Sequence, residues 1–555
     1  MRVSSEAPLV MAFMLILTSD ENGSKLTSFQ GVNGDIFANQ DENAWYEQGV
    51  KLIKDNVKVK PNTDTAKSAV LFLGDGMGIS TVTAARIFDG QQKNMEYGEE
   101  NVLSWEVFPW TALVKTYTVD MQGTDSASSA TAFLNGIKTN GGVVGVDETV
   151  RRGYCETLTE KSKVVSILTL AERAGMSTGV VTTTRATHAT PASSYAHSVD
   201  RGWESDKDLN SKVKDDGSNC KDIATQLVEY SHGNGIEVVF AGGRREFMHK
   251  NQSDPEYPDK KGDRQDNKDL IKQWLEKYPG SHYVWNKTAF DKIDPNKVNR
   301  VLGLFEPSHM QYESDRTASD TLGEPSIAEM TEKAIKILQK NPKGYFLLVE
   351  GGRIDHAHHD GSAYNALHEA VAFNKAVQTA NDIVQKDDTL ITVTADHSHV
   401  FTIGGYTKRG NPVLGVQVNV DGKEANDSFG KAYTALGYFD GPGGLNGSRP
   451  DMRGVKTDAK DFLQQATVLL DYESHASEDV GVYADGPGAY LFHGVVEQPY
   501  VFHVMDHALC LSESKQDTCD KQVSRGGPIP KSGGNSLSMP MAMFGLFIVA
   551  VRIFH

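Results

Sequence analysis

The sequence predicts an α/β fold: a central, largely parallel sheet with helices on both faces. Three observations carry that expectation. Short unbroken apolar runs, the mark of strands buried on both faces, alternate with longer amphipathic segments. Two of these runs end in glycine beside an acid, and a third ends in an Asp-His pair. Hydrophobic residues at 39% and charged residues at 23% fit a globular protein, and 555 residues suffice for one large α/β domain with insertions or for two or more domains.

Taken in order, residues 43–57 read as an amphipathic helix behind a polar stretch. Residues 68–73 form a buried-type strand ending in Gly74-Asp75-Gly76, with a helix from Ile79. Residues 114–119 read as a strand, and the Ala-rich run from Ser126 as a helix through Leu134, stopped by Gly136. A helix over 164–174 leads to a strand over 178–184, and 236–240 is a further strand. A helix over 325–339, a strand over 345–349, a helix over 362–384 and a strand over 390–394 complete the alternation. Residues 244–324 and 404–470 break the pattern with Asp/Lys/Pro-rich and Gly/Pro-rich composition, and read as insertions. There are no internal repeats.

The formal charge of −17 argues against nucleic acid as a partner. An anionic substrate must then be held locally, by metal ions or a few arginines. Residues 9–17 form a short apolar core behind Arg2, which suits a secretory signal over 1–19; an N-terminal helix packed on the body is the alternative. At the far end Ser532, Gly533 and Gly534 precede a polar spacer and the apolar run 539–551. That order suits a glycosylphosphatidylinositol (GPI) attachment signal over 532–555; a membrane-associated or unstructured end is the other reading. Cys155, Cys220, Cys510 and Cys519 allow three pairings, and the closeness of Cys510 to Cys519 favours a local bridge, leaving Cys155 with Cys220. Sequons at Asn22, Asn251, Asn286, Asn426 and Asn446 permit glycosylation of an exported chain.

Ligands of an open parallel sheet bind beyond its carboxyl strand ends. Four such ends carry metal-binding side chains: Asp75, Glu350, Asp396 with His397, and the stretch Thr187-His188-Ala189-Thr190. Asp355 and His359, four apart, share one face of a helical turn and can hold one cation, while His356 and His358 point elsewhere. His475 on its own reads as structural. Asp125 and Ser126 on their own read as a helix cap, but a hydroxyl in a first helical turn is also placed to be a nucleophile at a phosphate site.

These stretches, in this order, resemble the alkaline phosphatases, in particular the animal, GPI-anchored branch. The likeness rests on residues 72–78, Asp125-Ser126-Ala127, residues 182–185, His188-Ala189-Thr190-Pro191, residues 349–359 and 394–399, and His475. It spans about residues 43–520, the expected catalytic domain. The resemblance implies Ser126 as nucleophile and Arg201 as phosphate clamp, oriented by Asp125. It implies one zinc on Asp355, His359 and His475, a second on Asp75, Asp396 and His397, and a magnesium on Asp75, Thr190 and Glu350, with His188 behind it. It also implies a calcium on Glu256, the Phe305 carbonyl, Glu306 and Glu324. The implied activity is hydrolysis of phosphate monoesters through a phosphoserine, by a homodimer on the outer cell surface. On a formal count, three divalent ions and Arg201 against four carboxylates and an alkoxide leave roughly +2, matched to a monoester dianion. Metal-dependent diesterases or sulfatases of the same superfamily, and a surface receptor on a vestigial enzyme fold, are the competing readings.

Overall fold

The computed structural model describes residues 43–318 and 323–512. The expected signal segment, Asn22, Cys519 and the expected attachment residues Ser532, Gly533 and Gly534 lie outside them. The chain divides into two units, one ending at Val59 and one beginning at Lys60. The described part of the first holds the helix Ala44–Asn56, capped by Asn43, whose Oδ1 accepts from the Trp45 N–H at 2.9 Å. Trp45, Leu52 and Ile53 stand exposed on it.

The second unit is built on strands β1 (Ser68–Gly74), β2 (Trp110–Lys115), β3 (Ser177–Arg185), β4 (Val238–Gly242), β5 (His282–Val284), β6 (Val301–Leu304), β7 (Tyr345–Gly351) and β8 (Thr389–Ala395). Short strands follow: β9 (Ser398–His399), β10 (Phe401–Ile403), β11 (Leu436–Gly441), β12 (Ala466–Leu469) and β13 (His475–Ala476). β14 (Val480–Asp485) and β15 (Val495–Glu497) close the series. Ten of them form one sheet in the order β15-β2-β14-β8-β1-β7-β3-β4-β6-β5. Its pairings are parallel except where β14 meets β2 and β8.

The central strands are apolar because both of their faces are covered. Every residue of β1, β7 and β8 is buried. One helix group, Ile79–Gln92, Ile327–Leu338 and Ala363–Ile383, packs together and on the sheet; another, Ser126–Asn135, Ile167–Ala174 and Tyr500–Leu509, does the same. Phe373 anchors the first group, with ring centroids 5.9 Å from Phe72 and 5.7 Å from Trp105. All three side chains are at most 1% exposed.

The structure moves several expected elements. The strand expected over 114–119 is β2, ending at Lys115, because the chain then turns and the Thr118 N–H bonds back to the Met121 carbonyl. The helix expected from 164 starts at Ile167, where the Ser166 side chain caps it by accepting from the Thr169 N–H. The stretch 244–324 contributes β5 and β6 to the sheet's edge, and 404–470 supplies β11 and β12 to a separate three-stranded sheet with β10. Cys155 and Cys220 are joined. Cys510 is also disulfide-bonded, and its expected partner lies outside the described residues.

Candidate metal centre and nucleophile

The carboxyl ends of β1, β7 and β8 lie side by side, in register: Gly74 pairs with Gly351 and with Ala395. Asp75, Glu350 and Asp396 therefore converge, and each is completely buried. Such crowding of carboxylates has a visible electrostatic consequence. Burial, then the neighbouring Asp396, Asp355 and Glu350, push Asp75 well above the usual carboxylate range. Burial pushes Glu350 up to about 7, against the hydrogen bond from Thr182.

Gly76 makes this convergence feasible. Its φ is +68°, and a Cβ there would overlap the His399 ring. Its N–H donates to Asp396 Oδ1 at 2.9 Å.

The histidines arrive from three elements. His397 follows β8, with Nε2 at 3.2 Å from Asp396 Oδ2 and 3.5 Å from Asp75 Oδ1. Asp355 and His359 share the helix Arg353–His359, with His359 Nε2 at 3.3 Å from Asp355 Oδ1. His475 comes in on β13, which pairs with β9 so that His475 lies opposite His399. Its Nε2 sits 3.3 Å from Asp355 Oδ1 and 3.0 Å from His359 Nε2. Donor atoms around a tetrahedral zinc lie roughly 3.4 Å apart, so both triads have the spacing of a ligand set.

Orphaned atoms give a second test of fit. Both oxygens of Asp75, Asp396 Oδ2, Glu350 Oε1, Thr190 Oγ1 and His397 Nδ1 are buried without a hydrogen-bond partner among the described residues. Leaving one such group unmet costs about 1–3 kcal/mol, and more for a charge. Their concentration at one place is what cations would satisfy. The residues present thus fit metal ions.

Ser126 opens the helix Ser126–Asn135, whose ten residues are all buried, and its Oγ lies 3.4 Å from His397 Nε2. Asp125 is the cap and more. Its carboxylate accepts from the N–H groups of Ala127, Ser128 and Gly142, and from Arg201 Nη1 at 3.0 Å. Burial would raise Asp125, but Arg201 and the hydrogen bonds from Ser128 and Gly142 together outweigh it and bring the group to about 2. Arg201 Nη2 reaches His188 Nε2 at 3.2 Å, linking the guanidinium to the Thr190 side of the site. Arg201 is thus held against Asp125 on one side and His188 on the other, its planar fork fixed in orientation.

Three residues of this site carried no assignment in the sequence reading. His399 Nε2 lies 2.8 Å from Asp355 Oδ1, and Glu473 lies behind His399. Tyr472 stacks on the His359 ring at 3.8 Å while staying 54% exposed. His399 stood inside a matched stretch, but Glu473 and Tyr472 had only their closeness to His475 in sequence to mark them. His356 and His358 do turn to other partners: His356 to Arg353, His358 to Thr81 and Tyr438.

The remaining acids gather elsewhere. Glu256 is held by Arg244 at 2.9 Å, Glu306 by the Tyr257 hydroxyl at 2.9 Å, and Glu324 by the Gln311 N–H at 3.1 Å. Burial, with Glu306 adjoining, pushes Glu324 up to about 10. Neither Glu306 nor Glu324 has an ion-pair partner among the described residues. Phe305, between β6 and Glu306, is fully buried.

A buried pit of carboxylates and histidines at parallel strand ends, with a helix-start serine and a fixed arginine, defines a metal-dependent hydrolase. The comparisons with known proteins narrow that class. Residues 66–511 match the alkaline phosphatase family. The tissue-nonspecific alkaline phosphatase of Rattus norvegicus is 46% identical over 516 residues, covering 91% of this chain and 95% of its own. An alkaline phosphatase of Gadus morhua is 45% identical over 461 residues, covering 82% and 94%. The solved alkaline phosphatase of the Antarctic bacterium TAB5 shares the fold, with a TM-score of 0.55 at 23% identity over 81% of this chain and 100% of its own. The chain belongs to the alkaline phosphatase family, and it is a hydrolase of phosphate esters.

Proposed function

We propose that this enzyme removes phosphate from monoesters through a phosphoserine on Ser126, with two zinc ions and one magnesium ion bound at the strand ends. The observation that carries the reading is the set of orphaned, buried ligand atoms on Asp75, Asp396, Glu350 and Thr190 beside the Ser126 hydroxyl. Asp355, His359 and His475 would hold one zinc, and Asp75, Asp396 and His397 the other. Asp75, Thr190 and Glu350 would hold magnesium, with His188 behind. Bound there, the ions would supply Lewis acidity that makes a serine hydroxyl and then a water nucleophilic at neutral pH.

The protein's own groups do the rest. The positive end of the helix Ser126–Asn135 would face the phosphate, and Arg201 would grip two of its oxygens. Asp125 keeps that guanidinium in place. Comparing monoester with diester turnover in protein of known zinc and magnesium content tests the assignment. High monoester turnover, lost on chelation, is the expected result; equal or faster diester turnover would refute it.

Glu256, the Phe305 carbonyl, Glu306 and Glu324 would hold a calcium ion, which the pressure on Glu324 supports. A homodimer is supported by the exposed Trp45, Leu52 and Ile53 of the helix Ala44–Asn56. Export, and anchoring by GPI at Ser532, Gly533 or Gly534 on the outer face of the cell membrane, rest on the two apolar ends of the sequence. Among the described residues no helix is long and apolar enough to cross a membrane. Glycans fit best on Asn251, Asn426 and Asn446, which are exposed, whereas Asn286 is half-buried.

A further inference from the structure

The helix that begins at Ser126 ends in a cavity. It measures about 340 Å³, and its walls include Asn135, Lys163, Arg173, Ser194, His197 and His232. A second cavity of about 260 Å³ shares Lys163, His197 and His232 with it. Pockets of roughly 300 Å³ and more are the size that holds small molecules.

The walls favour an anion. Arg173 is exposed and forms no ion pair among the described residues, an unusual freedom for an arginine in a chain of net charge −17. Lys163 is paired with Glu160, whose side chain is 88% exposed, so water already screens that pair. His197 donates from Nε2 to the Val164 carbonyl at 2.9 Å. Arg173 and His232 line the same cavity, and the charge of Arg173 adds to burial in lowering His232.

The cavity also meets the catalytic apparatus from behind. Asn135 is the last residue of the helix Ser126–Asn135. Ser194 lies just beyond the turn Ala189–Ala192 that holds Thr190, and its carbonyl accepts from Ser166 Oγ at 2.5 Å. Because the ten residues between Ser126 and Asn135 are all buried, a push at one end is not absorbed locally.

We propose that this cavity is an allosteric site for a small oxyanion, a phosphate or carboxylate on a compact polar body, whose binding shifts the helix that carries Ser126. Arg173 supplies the charge, with His232 beside it.

Inorganic phosphate is the probe. As a product it competes at Ser126; at the second site it acts without displacing substrate. Its inhibition of aryl-phosphate hydrolysis is therefore expected to be mixed in the wild type. In Arg173→Ala, and in Arg173→Ala with His232→Ala, the uncompetitive component should weaken about tenfold or more, the loss of a charge-assisted contact, with the competitive component and kcat unchanged. Purely competitive inhibition of the wild type, or the same mixed pattern in the variants, would overturn the proposal. A phosphorus-NMR titration with phosphate beyond the one equivalent held at Ser126 gives an independent reading. A second phosphate bound per chain in the wild type that disappears in Arg173→Ala supports the site; binding of only one in the wild type refutes it.

Discussion

His399 Nδ1 lies 2.5 Å from Glu473 Oε2 in the interior of the site. Through its other nitrogen His399 reaches Asp355, so a carboxylate, an imidazole and a second carboxylate form one buried chain. Burial would lower His399, but Glu473 and Asp355 outweigh it and hold the ring up at about 10. The chain fixes the orientation of Asp355, which faces both His359 and His475. Outer partners of this kind orient metal ligands.

Glu473→Gln should therefore loosen the Asp355 site without emptying the neighbouring one. Competition with a zinc chelator should show affinity at one site falling by about 10–100-fold. Unchanged zinc retention would mean that Glu473 only fills space.

Arg201→Lys keeps a positive charge but loses the fork that meets Asp125 on one side and phosphate on the other. A point charge cannot grip two oxygens at once. We expect kcat/KM for a monoester to fall by about 10–100-fold, with zinc content unchanged. Full activity in this variant would remove Arg201 as the clamp.

Stability should respond to pH at the far end of β3. Burial, then the neighbouring Glu172, push Glu237 up to about 7. A carboxyl raised in the fold binds its proton more tightly there than in the unfolded chain. Its contribution is full below pH ~4.5 and is lost as pH rises through about 7, leaving a cost at alkaline pH. Glu237→Gln should thus gain about 2–3 kcal/mol relative to wild type between pH 5 and pH 9, read by denaturant unfolding. A difference that stays flat with pH would contradict the raised carboxyl.

Phe373 is the core position to test. Its ring contacts Phe72 and Trp105, and it is 1% exposed. Phe373→Ala should cost about 3–5 kcal/mol. A loss below about 1 kcal/mol would mean that the two helix groups pack on the sheet more loosely than the structure shows.

Much of this was legible in the sequence, for a physical reason. β1, β7 and β8 are buried on both faces, so each reads as an apolar or β-branched run, and the acid just inside or past its carboxyl end marks the ligand side. Asp75, Glu350 and Asp396 were found that way. His475 was not, because its place depends on the two-residue pairing of β13 with β9, which no local pattern encodes. Read alone it was structural; only family likeness put it in the site. Glu473 and Tyr472 were missed for the same reason. The edge strands β5 and β15 are three residues each and only partly buried, so their composition resembles that of loops. The end of β2 slipped because residues 116–119, Thr-Tyr-Thr-Val, stay β-branched or aromatic beyond the last strand residue.

The central claim is that Ser126 carries the phosphoryl group. The most direct measurement is acid quench of the enzyme during turnover, followed by mass spectrometry of its peptides, beside a Ser126→Ala control of matched zinc content. The account predicts a phosphorylated peptide containing Ser126, and neither phosphopeptide nor turnover in the control. Wild-type turnover with no phosphate on Ser126, or undiminished turnover by Ser126→Ala, would contradict it.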